Sequence, residues 1–398
     1  MKEKICILIA RTGMSGGTGT LSIRLAQWAR ENNYYCVYLC TENNSKANYD
    51  MLKRYGVQIV CRNDTTYKLQ FKSIYNNSIQ YYALTYSIYE YVSLKKIQTK
   101  YKNIIHVTYY DVHTKAYTFT SSNPMMRAIK KELLKDVIAK CDRFHELFLI
   151  DDQCAEDITN NLRYKVNKEK SIIRLPMVLN RKSMIKKDET RSDLFVIGTM
   201  SRIDIPFKGY LIGFLDWYKN VGFKLGTRLH MVANSADSEE YRRKIDSIPN
   251  QMRRNIVFED VVSYDHIGYF FNSIDLFVGM GTSILDAANF GIPAYFVNSY
   301  TREFVVSGNF AENPTCFVDG PQQVDFTEVV KKLMKNQNNV LCAIADKQRD
   351  NLERYFDYNK NFPRLLCLKN TEFTSSNRMS ISMKLLQCIN KARKMNNW

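Results

Sequence analysis

The chain alternates short, wholly apolar runs with longer segments in which apolar residues recur every three or four positions. Residues 5–10 and 35–40 form two such runs, and between them a glycine-rich stretch precedes apolar residues at Leu21, Leu25 and Trp28. Wholly apolar runs are typical of strands buried on both faces, and the wider spacing is typical of amphipathic helices. The pattern therefore predicts a strand, a helix and a parallel strand joined by short loops.

The same alternation continues along most of the chain, interrupted by a mostly charged segment at residues 181–193 that has the composition of an interdomain linker. Before the linker the pattern predicts helices over 81–98 and 125–140 and strands over 104–108 and 147–150. After it, the pattern predicts strands at 194–197, 229–233, 256–258 and 276–278 and helices at 210–219, 239–248 and 264–272. From about residue 325 the chain is helical and polar.

These elements predict an α/β protein with two doubly wound, Rossmann-like domains facing a cleft. We place the first domain at residues 1–185 and the second at 186–370, and we expect a helical tail at 371–398 to pack back on the first domain. Folds of this kind bind ligands at the carboxyl ends of their strands, so candidate residues are sought in those loops.

Composition narrows the class of ligand. The formal net charge of +17 over 398 residues favours phosphate-bearing partners, but nucleotides, nucleic acid and anionic membrane all carry phosphate. Apolar runs are too short to span a bilayer. Ten cysteines without paired spacing and only five histidines predict reduced thiols in a cytoplasmic protein, and no metal site or bound cofactor.

The loop after the first strand of the second domain carries the strongest chemical signal. Arg202 and Lys208 lie six residues apart in it, and Gly209 follows. A guanidinium and an ammonium in one loop can neutralise a departing diphosphate, although a solvated basic loop has the same composition.

A second loop follows the strand at 276–278 and leads into a helix that begins near Thr282 and Ser283. Free backbone amides at a helix start bind anions, and the two hydroxyls add donors. Asp286 has two interpretations: its carboxylate accepts hydrogen bonds from ribose hydroxyls, or it closes a capping box with Ser283.

Together the two loops resemble the retaining GT-B glycosyltransferases of bacterial surface polysaccharide assembly, which show Arg-x5-Lys-Gly and, later, a glutamate followed by Ala, Gly and Pro. Arg202, Lys208 and Gly209 match the first motif, and Asp286, Gly291 and Pro293 match the second. The resemblance implies that Arg202 and Lys208 bind donor phosphates and that Asp286 replaces the second glutamate of a pair. The position of the first glutamate holds Val278, a departure from the family.

In the first domain, Gly16 and Gly17 belong to a glycine-rich loop that resembles the family's first loop, which lies near the acceptor and the donor phosphate. Dinucleotide enzymes use glycine-rich loops too, but the spacing here is not a regular Gly-x-Gly-x-x-Gly. Asp111 and His113 follow the strand at 104–108, where either side chain could act on an acceptor hydroxyl.

The resemblance implies a hexosyltransferase with a nucleotide-sugar donor and a glycan or lipid-linked acceptor. Tyrosines and lysines between Tyr75 and Lys96 could stack on nucleic acid or lie at a lipid interface, although a helix of this composition is more often half core and half surface. We expect contact with an anionic membrane and no nucleic acid as a partner. Two alternatives stay open: a non-catalytic protein that binds nucleotide sugars or nucleic acid, and a nucleotide-sugar epimerase of the same fold.

Overall fold

The computed structural model describes residues 4–12, 17–41, 46–61, 67–112, 117, 123–179, 194–233, 238–260, 262, 266–318, 323–335, 337–368 and 380–395. The chain divides into two compact units. The first unit contains Met1–Pro176 and Tyr358–Trp398, and the second contains Met177–Asp357.

The first unit is built on a six-stranded parallel sheet in the order β3-β2-β1-β4-β5-β6. Its strands are β1 (Lys4–Arg11), β2 (Tyr35–Cys40), β3 (Gln58–Cys61), β4 (Ile79–Thr85), β5 (Ile104–Asp111) and β6 (Leu147–Leu149). Its helices are α1 (Gly17–Glu31), α2 (Lys46–Arg54), α3 (Tyr67–Ile74), α4 (Ile88–Gln98), α5 (Pro124–Arg143), α6 (Asp152–Leu162), α7 (Lys168–Ser171), α15 (Tyr358–Leu365) and α16 (Ile381–Met395).

One predicted helix of this unit is wrong. The pattern indicated a helix over residues 81–98, but residues 79–85 form β4, paired with β1 on one side and β5 on the other, and helix α4 starts only at Ile88. Ser87 caps the helix, because its hydroxyl accepts from the Tyr89 N–H at 3.3 Å. Aromatic residues suit both strands and helices, and residues 79–85 form a strand because they pair with β1 and β5 on either side.

The tyrosine-rich segment is also not an interface. Tyr81, Tyr82, Tyr86 and Tyr91 are buried, and the Lys95 ammonium lies 2.8 Å from Glu146 Oε1 in the interior. These side chains fill the core around β4 and α4, so the segment offers neither a lipid surface nor a base-stacking platform.

The end of the chain returns to the first unit. In α15 the Phe362 ring packs on Trp28, and the carbonyl of Leu365 accepts a hydrogen bond from Thr108 Oγ1 at 2.6 Å. Helix α16 packs against α4 and α5. The structure thus places residues 358–365 with the first unit, whereas the predicted second domain extended to residue 370.

The second unit repeats the architecture, with the strand order β12-β11-β10-β7-β8-β9 and only β12 antiparallel. Its strands are β7 (Val196–Met200), β8 (Arg228–Val232), β9 (Ile256–Glu259), β10 (Leu276–Gly279), β11 (Ala294–Val297) and β12 (Val306–Asn309). Its helices are α8 (Tyr210–Trp217), α9 (Glu239–Asp246), α10 (Asn250–Arg253), α11 (Ile267–Asn272), α12 (Thr282–Asn289), α13 (Phe326–Lys335) and α14 (Gln337–Tyr355).

The predicted fold class is confirmed: each unit is a doubly wound α/β sheet with helices packed against it. Apolar residues of β7, β8 and β10 share one buried core with α8. In the part of the chain that the structure describes, no helix is long and apolar enough to span a membrane.

Candidate functional site

The loop after β7 carries the two cations expected to bind phosphate. Ile203 is buried in the core of the second unit, whereas its neighbours Arg202 and Asp204 are exposed. The Lys208 N–H donates to the Asp204 carbonyl at 2.7 Å, which closes the loop into a turn. The turn brings the partly buried Lys208 side chain back toward the charges of Arg202 and Asp204.

The positive charge of Lys208 is disfavoured where it lies. Burial lowers the pKa of the Lys208 amine, the Arg202 guanidinium lowers it further, and the Asp204 carboxylate offsets only part of this, so the pKa is about 8. Neither cation forms an ion pair with any other described residue. An anion bound by both cations would relieve the repulsion between them, which is the electrostatic requirement of a diphosphate site.

Contacts with residues 298–304 hold the loop in place. The Tyr300 N–H donates to the Phe207 carbonyl at 2.9 Å, and the two rings lie 5.0 Å apart between centroids. Gly209 approaches Thr301 so closely that a Cβ at position 209 would lie 2.6 Å from the Thr301 carbonyl oxygen. A glycine after Lys208 is therefore required by packing, independently of any role in ligand binding.

Helix α12 begins at the carboxyl end of β10, as predicted. Gly281 is its N-cap residue, with a φ of 72°, and among the described residues no side-chain hydrogen bond caps the helix start. Thr282 and Ser283 form its first turn and are partly exposed, and the Ser283 hydroxyl donates to the Met280 carbonyl at 3.1 Å. The uncapped first-turn amides add partial positive charge at this edge of the sheet.

The capping-box interpretation of Asp286 is wrong. A capping box needs a serine or threonine at the N-cap, but Gly281 occupies that position and Ser283 lies inside the helix. Asp286 is partly exposed in the second turn. Its assignment to donor binding stays a prediction.

The topology brings the two loops together. Strands β7 and β10 are neighbours, with Ile197 opposite Leu276 and Gly198 opposite Phe277, so their carboxyl ends lie level. The chain proceeds from β7 to β8 and β9 on one side and then returns to β10 on the other. The gap between the loops after β7 and β10 is thus a topological switch point, the place where doubly wound sheets bind ligands.

Val278 lies in β10 with 0% of its surface exposed and belongs to the core of the second unit. An apolar side chain is therefore accommodated where the family has a carboxylate. Around the loops after β7 and β10, Asp204 in the first loop and Asp286 in α12 carry carboxylates.

Of the four candidate residues of the first unit, the structure describes Asp111 and Gly17. Asp111 is the last residue of β5 and is 0% exposed, and it accepts a 2.8 Å hydrogen bond from the Tyr117 hydroxyl. Gly17 is the first residue of α1. Gly16 and His113 lie outside the described residues. Asp111 therefore has no exposed surface in this structure, and its role in catalysis stays a prediction.

Glu90, which was not predicted as a site residue, is a buried carboxylate at the corresponding switch point of the first unit. Ser87 and Glu90 have the spacing of a capping box, which is the ordinary interpretation of such a glutamate. The carboxylate instead accepts hydrogen bonds from the hydroxyls of Thr12, Tyr67 and Thr85. The available signal was a threonine directly after β1, Thr12, and another at the end of β4, Thr85.

Over the described residues, no group of three or more His, Cys, Asp or Glu side chains is arranged to hold a metal ion.

Comparison with known proteins identifies the fold. No protein-family model and no curated protein matches the sequence. Among solved structures, Anabaena HepE in complex with UDP is similar at a TM-score of 0.62 and 12% identity, over 92% of this chain and 99% of HepE. A glycosyltransferase from Rickettsia africae gives 0.62 and 13%, over 94% of this chain and 98% of its own.

WaaG, a glycosyltransferase involved in lipopolysaccharide biosynthesis, is similar at a TM-score of 0.54 and 10% identity, over 92% of this chain and 100% of WaaG. Each likeness spans nearly the whole of both chains. The chain therefore has the GT-B fold, with two Rossmann-like domains, as the resemblance in the two loops implied.

Proposed function

We propose that this protein is a glycosyltransferase that moves a hexose-type sugar from a nucleotide-diphosphate donor to a glycan or lipid-linked acceptor in surface polysaccharide synthesis. The observation that carries the proposal is the pair Arg202 and Lys208 at the switch point of the second unit. Both cations lack an ion-pair partner among the described residues, and burial, together with the nearby charge of Arg202, lowers the pKa of Lys208 to about 8.

The mechanism follows from the charge that develops in the reaction. Breaking the bond between the sugar and the diphosphate leaves negative charge on the phosphate oxygens, which Arg202 and Lys208 stabilise. The start of α12 at Thr282 and Ser283 adds backbone donors from the neighbouring loop. Fixed donors aimed at developing charge lower the barrier, because they need no rearrangement during the reaction.

Two features support the finer parts of the proposal. HepE was solved with UDP and glucose, and WaaG acts in lipopolysaccharide biosynthesis, which favours a UDP-hexose donor and a surface-glycan acceptor. The loop that carries Arg202 and Lys208 lies beside the start of α12 at one edge of the second sheet, which supports the same expectation for this chain.

The start of α5 supports contact with a membrane that carries the acceptor. Met125, Met126 and Ile129 are 72%, 44% and 40% exposed within the first two turns, and exposed Arg127 lies among them. Apolar side chains beside basic ones on a surface helix suit the interface of an anionic bilayer.

The test of catalysis uses a panel of UDP-, GDP- and ADP-sugars, with nucleotide release and binding measured for the wild type, Arg202→Ala and Lys208→Ala. Each substitution should weaken UDP binding by about 10- to 100-fold, because each removes a charge-assisted hydrogen bond worth about 1.5–3 kcal/mol. Arg243→Ala is the matched control, since Arg243 is an exposed cation of the same unit paired with Glu239.

The outcomes separate the candidates. Nucleotide release that both substitutions abolish and Arg243→Ala preserves supports glycosyl transfer. Binding of nucleotide sugars without release or transfer would favour the non-catalytic alternative, which the buried Val278 motivates. A changed sugar formed without any acceptor would indicate an epimerase.

Membrane contact is tested by vesicle flotation. Replacing Met125, Met126 and Ile129 together by serine should abolish flotation with vesicles of phosphatidylglycerol, whereas Ile381→Ser, at an exposed residue of α16, should not. Flotation that is equal for both variants would contradict the assignment to α5.

A further inference from the structure

Glu90 lies in the first turn of α4 with only 6% of its surface exposed. Its Oε1 atom accepts from the Thr12 hydroxyl at 2.8 Å and from the Tyr67 hydroxyl at 3.2 Å, and its Oε2 atom accepts from the Thr85 hydroxyl at 2.8 Å. Three donors compensate the carboxylate for the water it loses on burial.

The three donors come from three separate segments. Thr12 follows β1, Thr85 ends β4, and Tyr67 begins α3. Since β1 and β4 are neighbours at the point where the strand order of the first unit reverses, Glu90 lies at that unit's switch point. Its carboxylate joins the chain segments that surround the ligand-binding edge of the sheet.

The local pattern shows that this carboxylate is diverted from its ordinary use. In a capping box, Glu90 would accept from the Ser87 N–H, but that N–H faces the Thr85 hydroxyl at 3.4 Å. Burial raises the pKa of Glu90, while the three hydroxyls and the positive charge of Arg11 oppose that rise. Glu90 thus connects β1, α3 and β4 through three hydroxyls instead of capping α4, which indicates that its carboxylate fixes the arrangement of these segments at this edge of the sheet.

We propose that Glu90 is a positioning residue for acceptor binding, which holds the Thr12 hydroxyl at the carboxyl end of β1. This inference rests on the proposed transferase function. Glu90 itself is too buried to touch an acceptor, so it acts through Thr12, which is exposed. Loss of the bond between them should impair use of the acceptor and leave the nucleotide site of the second unit unchanged.

The experiment compares Thr12→Val, Thr12→Ser and Glu90→Gln with the wild type. Thr12→Val removes the hydroxyl at nearly constant volume, and Thr12→Ser keeps it. Thr108→Val is the control, because Thr108 is a buried strand threonine of the same sheet whose hydroxyl bonds the Leu365 carbonyl instead of Glu90. Thr12 is exposed, so its variants should fold even if Glu90→Gln does not.

The readouts are UDP affinity, hydrolysis of a UDP-sugar without acceptor, and transfer to p-nitrophenyl glycosides as acceptor probes. We expect Thr12→Val and Glu90→Gln to lower kcat/KM for the acceptor at least tenfold, while UDP affinity and hydrolysis stay within about twofold of the wild type. Thr12→Ser should restore transfer, and Thr108→Val should transfer normally. Normal transfer by Thr12→Val would overturn the inference.

A second readout does not depend on turnover. Hydrogen exchange in peptides that contain Thr12 should increase in Thr12→Val and Glu90→Gln, but not in Thr12→Ser or Thr108→Val. If the wild type releases no nucleotide from any donor, the proposed function fails, yet this exchange still tests the positioning role. Unchanged exchange in both Thr12→Val and Glu90→Gln would refute it.

Discussion

Binding of UDP should be accompanied by proton uptake at Lys208. In the free protein the pKa of this amine is about 8, against an ordinary value of 10.5, so half of it is uncharged at pH 8. A bound diphosphate favours the charged form and raises the pKa. If the pKa returns to its ordinary value, binding takes up about 0.1 proton at pH 7, about 0.5 at pH 8 and about 0.9 at pH 9.

The assay is titration calorimetry of UDP binding in buffers of different ionisation enthalpy, which gives the number of protons taken up. The nucleotide itself contributes little above pH 8, since the second ionisation of a phosphate has a pKa of about 6. Lys208→Arg is the control, because a guanidinium stays charged throughout this range and should bind UDP without uptake. Arg202→Ala should reduce uptake at pH 8, because removing the like charge raises the pKa of Lys208 in the free protein.

Two results would refute the reasoning. If the wild type and Lys208→Arg take up equal numbers of protons at pH 9, Lys208 is not the group that responds. If UDP binds tightly with no uptake at any pH between 7 and 9, the cation is not in contact with the phosphates.

Two further substitutions test the packing behind the site and the core of the first unit. Gly209→Ala should lower stability by about 1–3 kcal/mol and weaken UDP binding, because the new Cβ would lie 2.6 Å from the Thr301 carbonyl oxygen. Gly268→Ala is the control, since its Cβ would make only ordinary contacts. Its loss of stability in thermal unfolding should be less than half that of Gly209→Ala. Lys95→Met should destabilise the protein by about 3–5 kcal/mol, because it leaves the Glu146 carboxylate buried without its cation. A loss of less than about 1 kcal/mol in the free energy of urea unfolding would show that Glu146 finds another partner or takes up a proton.

Much of the fold followed from local pattern. Apolar runs such as residues 5–10 and 276–278 are buried on both faces, so their composition alone predicts strands of a parallel sheet. The change from strand to helix within residues 79–98 could not be predicted from local pattern, because aromatic residues suit both elements. Residues 79–85 form a strand because they pair with β1 on one side and with β5 on the other.

The candidate site divides in the same way. Residue type and position after a strand were enough to predict Arg202, Lys208 and the start of α12 as candidates. The lowered pKa of Lys208 was not, because it depends on burial and on the turn that returns Lys208 toward Arg202. The position of Asp111 at the end of a strand could be predicted from the sequence. Its burial and its hydrogen bond with Tyr117 depend on tertiary packing.

The sequence by itself determined which elements form and which loops carry cations, because periodicity and residue chemistry are local. Only the tertiary structure decided which loops meet. The strand order places the loops after β7 and β10 side by side, and it gathers Thr12, Tyr67 and Thr85 around Glu90. Strand order arises from pairings between residues far apart in the chain, and the preferences of neighbouring residues do not specify those pairings.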